Sequence, residues 1–585
     1  MQQQTHPEKP AQSCDVVMKG GITSGVVYPL ALVALSKKYR LSQIGGTSAG
    51  AIAAAAAAAA EYGRYVPGGG FERLAKIPQE VGPHLLSLFQ PAPALKPLFN
   101  IFIATLQAKT SIGKFVAFVW AAISGYLISA CLGALPGIII AVIAIVRCSV
   151  GGVAFGLLLA LVGLVLALIV SLKSTVTRDL AAHDFGVCPG IRQSRSLPEA
   201  FTDWLARLIE EAAGHQAGGR PLTFGDLSKP PDGADPIHLK MVTTSVAEGR
   251  PYTLPMETRR FFFRRDEWER LFPTDIIAFL VQTCERFMPT EGEQGEFYDF
   301  PKEDQLPLIV AARMSLSFPF LISAVPLWTR DFLMKEDERA KLRRCLFSDG
   351  GLSSNFPIQF FDHLLPNSPT FAISLDDFDP LTTRDLVWLP QTAGSGDMLP
   401  IQSFRGLFGF VARLFYSAKD WRDNLQGTLS GYRERIVHVV LKPDEGGLNL
   451  TMSKETIDAL VARGQQAGQT LCDQFNMDEH RWRRFLVSMA RMEETLDDVA
   501  VAYGSGPGQF GDFLDGYVKN HAPYRAPPSG KPHPPYSQDT RDQVDELLRR
   551  AAELVDLGKR WRGEPTVRDG HIPKPATDLR ITPKY

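Results

Sequence analysis

The feature that most constrains this chain is a long apolar stretch in its first third. From Phe115 to Leu172 the only charged residue is Arg147. The two parts, 115–146 and 150–172, are each long enough for a helix of about 20 residues that crosses a bilayer. Helices on the surface of a soluble domain keep a polar face, and these segments have none. The sequence therefore predicts a transmembrane helical hairpin at 115–172, with a hairpin buried in a large soluble core as the alternative.

Basic residues flank this predicted hairpin on both sides. Lys109 and Lys114 precede it, Lys173 and Arg178 follow it, and the turn between the two segments holds only Arg147. Loops rich in Lys and Arg tend to remain in the cytoplasm. We therefore expect both flanks of the hairpin to be cytoplasmic.

Composition excludes several classes of protein. With 585 residues the chain is long enough for two or more domains, or for one large domain with insertions. Lys+Arg number 62 against Asp+Glu 63, which gives no support to a nucleic-acid binder. The seven cysteines include no C-x-x-C pair, so neither a zinc site nor a disulfide framework is indicated. The polar N-terminus does not resemble a secretory signal.

Outside the apolar stretch the pattern is typical of an α/β domain. Short apolar strands alternate with helices, which predicts a largely parallel central sheet. We expect a disordered segment at 1–12, an α/β domain in two parts at 13–110 and 176–480, and a helical C-terminal extension at 481–585 with a Pro-rich linker at 523–535. The oligomeric state is left open.

One short strand, Leu41–Ile44, runs into the sequence Gly46-Thr47-Ser48-Ala49-Gly50 and then into an alanine-rich helix. A strand, a G-x-S-x-G turn and a helix together form a nucleophile elbow, in which the serine hydroxyl lies at a helix N-terminus. Small residues flank the serine because the backbone doubles back there with little room. The motif alone is weak, so Ser48 needs a partner elsewhere in the chain.

A glycine-containing loop, Lys19-Gly20-Gly21-Ile22-Thr23-Ser24-Gly25, follows the first strand. A loop of this kind between a strand and a helix presents free N–H groups that suit an oxyanion or a phosphate. It is not a Walker A loop, since no Gly-Lys-Ser/Thr follows. A glycine-rich turn without a ligand is the plain alternative.

The serine needs a base within hydrogen-bond reach. Histidine is the usual base, but no histidine lies in an obvious catalytic turn; the four considered are His183, His238, His363 and His438. Asp349 is the better candidate, because it ends a predicted strand and is followed by Gly350 and Gly351. Asp-Gly also marks ordinary turns, so this assignment depends on the other motifs.

The glycine loop, the G-T-S-A-G turn and the later D-G-G turn, in this order, resemble the patatin-like phospholipase family. Further stretches at 221–227, 311–319 and 347–357 are similar to bacterial members, and the resemblance covers roughly 13–110 and 176–380. It implies a three-layer α/β sandwich with a Ser–Asp dyad that needs no cofactor or metal.

The resemblance also implies a role for each motif residue. Ser48 would attack the ester carbonyl and Asp349 would accept its proton, while backbone N–H groups of the glycine loop would hold the oxyanion. The oxyanion donors would be Gly20, Gly21 and Ile22, with Ala49 as a possible helper, and the remaining motif glycines are Gly25, Gly46, Gly50, Gly350 and Gly351. The sequence departs from the family where Ile22 and Ser24 replace a glycine and a basic residue.

The implied dyad constrains the hairpin, because Ser48 precedes the apolar stretch and Asp349 follows it. The two can meet only if both flanks lie on one side of the membrane, which requires an even number of spans, and two fit the length. We expect a membrane-anchored lipid acyl hydrolase that acts on phospholipid or lysophospholipid esters. The alternatives are a hydrolase of soluble esters or thioesters, and a membrane scaffold or regulatory protein with weak catalysis.

Overall fold

The computed structural model describes residues 10–562 with several gaps. These are 22, 109, 217, 231–233, 258–259, 290–293, 336–340, 393, 405, 448, 505–508 and 522–540. Ile22, the expected Pro-rich linker at 523–535 and residues 1–9 of the expected disordered segment therefore lie outside the described residues.

The described residues contain fourteen strands. They are β1 (Gln12–Met18), β2 (Tyr39–Gly46), β3 (Gly186–Cys188), β4 (His238–Ser245), β5 (Arg250–Leu254), β6 (Phe261–Arg264), β7 (Arg286–Phe287), β8 (Phe297–Asp299), β9 (Phe320–Ile322), β10 (Val325–Arg330), β11 (Leu342–Asp349), β12 (Thr370–Asp377), β13 (Val387–Trp388) and β14 (Ile436–Leu441). The strands predicted before the glycine loop, at Leu41–Ile44 and up to Asp349 are thus confirmed as β1, β2 and β11.

Eighteen α-helices lie in the same part of the chain. They are α1 (Tyr28–Ser36), α2 (Ala49–Tyr62), α3 (Gly70–Val81), α4 (Lys96–Gln107), α5 (Ser111–Gly125), α6 (Leu127–Val146), α7 (Val150–Ser174), α8 (Leu180–Ala182), α9 (Phe201–Ala213), α10 (Phe224–Ser228), α11 (Arg265–Trp268), α12 (Thr274–Thr283), α13 (Leu308–Ser315), α14 (Gly406–Thr428), α15 (Lys454–Gln474), α16 (Met477–Tyr503), α17 (Phe510–His521) and α18 (Arg541–Trp561).

Twelve of the strands form one mixed sheet. Its order is β13-β14-β12-β1-β2-β4-β11-β10-β6-β8-β7, and β5 pairs with β4. The run β14-β12-β1-β2-β4 is parallel, whereas every pairing from β4 through β11 to β7 is antiparallel. The expected largely parallel sheet is therefore present in one half only. In the antiparallel half, short connections join β4 to β5, β7 to β8 and β10 to β11, and connections of this length do not form parallel crossovers.

Helix α2 lies at the centre of this core because it is built almost entirely from alanine. Alanine has the best helix propensity and the smallest side chain, so the helix can approach its neighbours closely. The run Ala53–Ala60 is wholly buried. Helix α2 packs on β2 and is surrounded by α1, α3, α9 and α13. This packing holds Ser48, the residue that precedes α2, just beyond the end of β2.

Helices α6 and α7 form an antiparallel pair and are long and apolar enough to cross a membrane. Small residues face each other between them, and a Cβ atom on Gly137 would lie 2.1 Å from the Ala160 nitrogen. The large apolar side chains point outward, so only 11% of the most apolar part of α7 is buried. Small residues inside and large apolar residues outside are typical of membrane helix pairs and the reverse of a soluble core.

The bounds of the first predicted span need correction. The segment 115–146 is not one helix, because α5 ends at Gly125 and α6 begins at Leu127. Helix α6 itself continues through Pro136. A Cβ atom on Gly125 would lie 2.9 Å from Pro97 of α4, so close packing of α5 on α4 accompanies the break. The second helix, predicted at 150–172, extends to Ser174.

The C-terminal helices are attached to the α/β domain. Helix α16 begins at Met477, before the expected boundary at 480, and α18 packs along it. Arg484 of α16 donates hydrogen bonds to the Asp362 carboxylate and the His363 carbonyl, both in the loop that precedes β12. This part of the predicted extension is therefore in direct contact with the sheet-bearing domain.

Candidate active site

Ser48 lies in the tight turn between β2 and α2, and its backbone is strained. Its φ of 55° and ψ of −127° place it in a region that non-glycine residues rarely adopt. The residue caps the N-terminus of α2, where the helix dipole favours negative charge. Its N–H donates to the Ser315 hydroxyl of α13 at 3.1 Å, which helps to hold the turn. The predicted strand–turn–helix arrangement around Ser48 is confirmed.

The two glycines of the G-x-S-x-G turn are required by close backbone contacts. A Cβ atom on Gly46 would lie 2.3 Å from the Gly50 carbonyl oxygen. One on Gly50 would lie 2.3 Å from the Met18 carbonyl oxygen of β1. Both distances are far shorter than a van der Waals contact. The atoms in the way are backbone oxygens, which cannot move without moving the chain. The turn can therefore form only with glycine at these two positions.

Strand register brings Asp349 to the level of Ser48. Gly46 of β2 pairs with Met241 of β4, and Asp349 of β11 pairs with Thr243, two residues further along β4. Ser48 also lies two residues beyond Gly46. The serine and the aspartate therefore flank the same part of β4, although the apolar hairpin lies between them in the sequence.

The Asp349 side chain is buried and incompletely hydrogen-bonded. Its Oδ1 accepts a hydrogen bond from the Gly351 N–H at 2.7 Å, whereas its Oδ2 has no hydrogen-bond partner among the described atoms. Burial raises the pKa of this carboxyl to about 7, and the nearby Ser48 hydroxyl and Gly351 N–H oppose the rise. A carboxyl that titrates near neutral pH beside a serine hydroxyl can act as a general base.

The glycine loop adopts a conformation in which the Gly21 carbonyl contacts Ser48. The Gly21 carbonyl oxygen accepts the Ser48 hydroxyl at 3.0 Å and the Ala49 N–H at 3.3 Å. The Gly20 N–H donates to the Asn355 carbonyl at 2.8 Å. The expected donors Gly20 and Ala49 are thus engaged by protein carbonyls in this conformation, and Ile22 lies outside the described residues.

Asn355 and Asp423 support the site, and neither is among the predicted site residues. The Asn355 carbonyl accepts hydrogen bonds from Gly20 and from the Thr47 hydroxyl, so it links both loops. Asp423 of α14 accepts the N–H groups of Asn355 and Phe356 at 2.5 and 2.8 Å. Asn355 lies in the stretch 347–357 that resembles bacterial family members, so the sequence contains a signal for it. No motif near Asp423 relates Asp423 to the site.

A second polar cluster lies at the first residue of the glycine loop, Lys19. The Lys19 ammonium group donates to Ser374, to the Leu375 carbonyl and to Asp376. The other Asp376 oxygen contacts His438 Nδ1 at 2.5 Å. Lys19 and His438 together hold the pKa of Asp376 well below its usual range. This cluster ties the end of β1 to β12 and thereby fixes where the glycine loop begins.

Of the four histidines considered as bases, two have other partners and a third lies some residues away from Ser48 along the sheet. His438 is stacked on Trp388 with 4.1 Å between ring centroids, and His183 Nδ1 contacts its own helix at the Asp179 carbonyl. His238 begins β4, several residues before the level of Ser48. The structure places none of these three in contact with the serine.

An apolar cavity begins at Ala49, the residue that follows Ser48. Its volume is about 90 Å³, several times the 10–15 Å³ or so that one water molecule needs on this scale. Ala49, Ile52, Ala53 and Ala56 line it along one face of α2, a distance of about 10 Å at 1.5 Å per residue. The opposite walls come from α1, α3 and α9 and include Leu32, Ile77 and Trp204. The small alanine side chains of α2 leave this space open.

No group of His, Cys, Asp or Glu side chains in the described part of the chain has the arrangement of a metal site. All seven cysteines are free. Burial raises the pKa of Cys14, Cys188 and Cys284, which makes these thiols poor nucleophiles. These three thiols are therefore no alternative to Ser48 as the candidate nucleophile.

Comparison with known proteins gives one clear relative. No family model matches the chain. The crystal structure of VipD from Legionella pneumophila is similar at 13% sequence identity over 87% of this chain and 81% of that one, with a TM-score of 0.32, which is too low to establish a shared fold. The RpoH suppressor of Rhizobium meliloti (strain 1021) is 34% identical over 98% of this chain and 99% of its own length. The chain therefore belongs to the same protein family as the RpoH suppressor of Rhizobium meliloti.

Proposed function

We propose that this protein is a patatin-like lipid acyl hydrolase in which Ser48 is the nucleophile and Asp349 the base. The observation that carries the proposal is the pairing of a strained serine at a helix N-terminus with a buried aspartate that has one oxygen unpartnered. Strain and unpartnered buried polar groups cluster at functional sites because the fold must stabilise them elsewhere.

The chemistry follows from these two side chains. Asp349 accepts the Ser48 proton as Oγ attacks the ester carbonyl, and the tetrahedral intermediate then expels the alcohol, which takes that proton from Asp349. A water molecule next gives its proton to Asp349 and attacks the acyl-serine. The fatty acid leaves, and the proton returns to Ser48. The proton transfers in these steps need only the carboxyl group, the hydroxyl group, the leaving alcohol and water.

The oxyanion requires a rearrangement of the glycine loop. The Gly21 carbonyl now takes the hydrogen bonds of the Ser48 hydroxyl and the Ala49 N–H. It must turn away before the Ala49 N–H can donate to an oxyanion and before the Ser48 hydroxyl can donate to Asp349. One well-placed N–H donor is worth about 3 kcal/mol in the transition state. In our proposal the conformation described here is the resting state of the site.

Two observations support a lipid ester as the substrate. The cavity that begins at Ala49 is lined almost entirely by apolar side chains and follows α2, as an acyl chain would. The apolar pair α6–α7 would keep the site next to a bilayer and raise the local concentration of lipid. Phospholipids and lysophospholipids meet both conditions.

The sheet topology bears on the proposed membrane arrangement. Strands β1 and β2 precede the hairpin, β4 and β11 follow it, and all four lie in one sheet. Both ends of the hairpin must therefore lie on the same side of any membrane that it crosses, and we propose the cytoplasmic side. A reporter fused in the turn near Arg147 should be found outside the cytoplasm; a cytoplasmic reporter would contradict the two-span arrangement.

A second candidate is a membrane scaffold or regulatory protein that does not turn over substrate. The Gly21 carbonyl favours it, because it fills the place beside Ala49 where an oxyanion would bind. The relative's name, RpoH suppressor, describes a genetic effect and fits either candidate. Hydrolysis of a soluble ester by the same dyad remains the third possibility.

One assay separates these candidates. The full chain and its Ser48→Ala variant are reconstituted in phospholipid vesicles, and fatty-acid release is measured. We expect release by the wild type and background release by Ser48→Ala. Equal release by the two would overturn the enzyme proposal and favour the scaffold. Release from a dissolved short-chain ester, but not from vesicles, would favour the soluble substrate.

A further inference from the structure

Helix α14 carries a broad apolar stripe that faces solvent. Its members recur at helical spacing and are between 45 and 73% exposed. They are Leu407, Phe410, Val411, Leu414, Phe415, Trp421 and Leu425. At 100° per residue they occupy an arc of about 140°, which is the width of a face that normally packs against a core.

The segment just before α14 enlarges this patch. Met398 is 81% exposed and Ile401 is 93% exposed, and Leu399 and Phe404 are exposed as well. So many large apolar residues in one continuous part of the chain exceed what a soluble surface normally carries. We call the seven side chains of α14 and these four the α14 patch.

The other side of α14 is attached to the candidate active site. Asp423 is buried and accepts the N–H groups of Asn355 and Phe356, just after the D-G-G turn. Lys419 lies on the same side, is mostly buried and forms an ion pair with Asp420. The helix therefore turns its acidic groups inward or pairs them, while the apolar stripe points away from the protein.

The residue types on α14 suit a lipid surface. Phe, Trp and Leu form the apolar face. At 100° per residue Arg422 falls within the arc of the stripe, and Arg413 lies about 60° outside it. This combination is typical of helices that lie in the interface of an anionic membrane. The chain also contains the pair α6–α7, which is long and apolar enough to cross a bilayer, and such a bilayer would offer this patch an apolar phase.

We propose that the α14 patch lies on the surface of an anionic phospholipid bilayer, with the apolar side chains inserted at the level of the headgroups and upper acyl chains. The firm attachment of α14 through Asp423 then sets the height of Ser48 above the membrane. This surface is separate from the hairpin and requires no hydrolysis, so it stands independently of the proposed reaction.

Photo-crosslinking of the full chain tests this contact directly. A benzophenone side chain is introduced at Leu414 in one sample and at Leu547 of α18 in another; these leucines are 54 and 63% exposed. Each protein is reconstituted in vesicles of phosphatidylethanolamine and phosphatidylglycerol that carry an alkyne-tagged phospholipid. After irradiation we expect lipid attached at Leu414 and none at Leu547.

Three outcomes would overturn the proposal. Crosslinks from Leu414 to another segment of the same chain, or to a second copy, would show that protein covers the patch. Equal lipid attachment at Leu414 and Leu547 would show contact without specificity. None of these readouts depends on hydrolysis, so failure of the proposed function would leave them interpretable.

A pair of charge substitutions gives a second readout. Phe410→Asp combined with Leu414→Asp should lower fatty-acid release from vesicles by about tenfold, since two apolar side chains no longer enter the interface. Release from a dissolved short-chain ester should be unchanged, and Leu547→Asp should change neither. An unchanged rate on vesicles in the double variant would contradict the proposal.

Discussion

Replacing Asp349 by Asn should stabilise the folded protein even as it removes hydrolysis. The wild-type carboxyl is buried, and its pKa is raised to about 7 because burial disfavours the charged form. Asn has the same shape, and its carbonyl can still accept the Gly351 N–H. The variant therefore removes the cost of a buried charge without removing the hydrogen bond that the Asp349 side chain accepts from the Gly351 N–H.

The size and sign of the effect follow from linkage. Below about pH 4 the folded and unfolded chains both hold the proton, so Asp349 contributes nothing to the pH dependence. Between about pH 4 and 7 the unfolded chain releases the proton while the folded protein keeps it, so the wild type loses stability as the pH rises. One pKa unit corresponds to about 1.4 kcal/mol. The free energy of unfolding of Asp349→Asn, relative to that of the wild type, should therefore increase by about 3 kcal/mol between pH 5 and 8.5.

Thermal unfolding in detergent micelles measures this difference. If a unit of roughly 350 residues unfolds together, 3 kcal/mol corresponds to a shift of about 4 °C in Tm. Asp458→Asn is the matched control, because that carboxylate is exposed and paired with Lys454; its effect should stay below about 1 kcal/mol at both pH values. The reasoning would be refuted if Asp349→Asn raised Tm equally at pH 5 and 8.5, or if it lowered Tm at pH 8.5.

Three further predictions follow from the site and the hairpin. The rate on a soluble ester should rise with pH through about 7, because Asp349 must lose its proton to act as a base; a flat profile from pH 5 to 9 would contradict this. Ala53→Phe should fill the cavity beside α2 and lower kcat/KM for long-chain esters while sparing acetate esters, as steady-state kinetics would show. Gly137→Leu should overpack the α6–α7 contact, costing about 1–3 kcal/mol and lowering Tm, whereas Gly151→Leu should be tolerated because no atom lies within 4 Å of its Cβ position.

Local signals were sufficient to predict the central elements of the fold. The strand, turn and helix around Ser48 could be predicted because the glycines and the alanine run each have a direct steric reason. The apolar helices could also be predicted, since length and hydropathy are read directly from the chain. The break after Gly125 could not, because it accompanies packing of α5 on α4 rather than a sequence signal.

Long-range packing accounts for what the sequence did not reveal. Half of the sheet is antiparallel because β11 returns beside β4, and strand direction is set by connections that no local pattern shows. Helix α14 carries apolar residues that face solvent, so the usual rule that such residues mark a core gives the wrong environment for it. The resting conformation of Gly21 depends on a peptide orientation that residue type alone does not fix.

The most direct test of the central claim is whether Ser48 is an activated nucleophile. The full chain in vesicles is treated with a fluorophosphonate that reacts with activated serines, and the labelled peptide is identified by mass spectrometry. We predict a single label on Ser48, no label in Ser48→Ala and strongly reduced labelling in Asp349→Asn. An unlabelled wild type, or a label on another serine, would contradict the account.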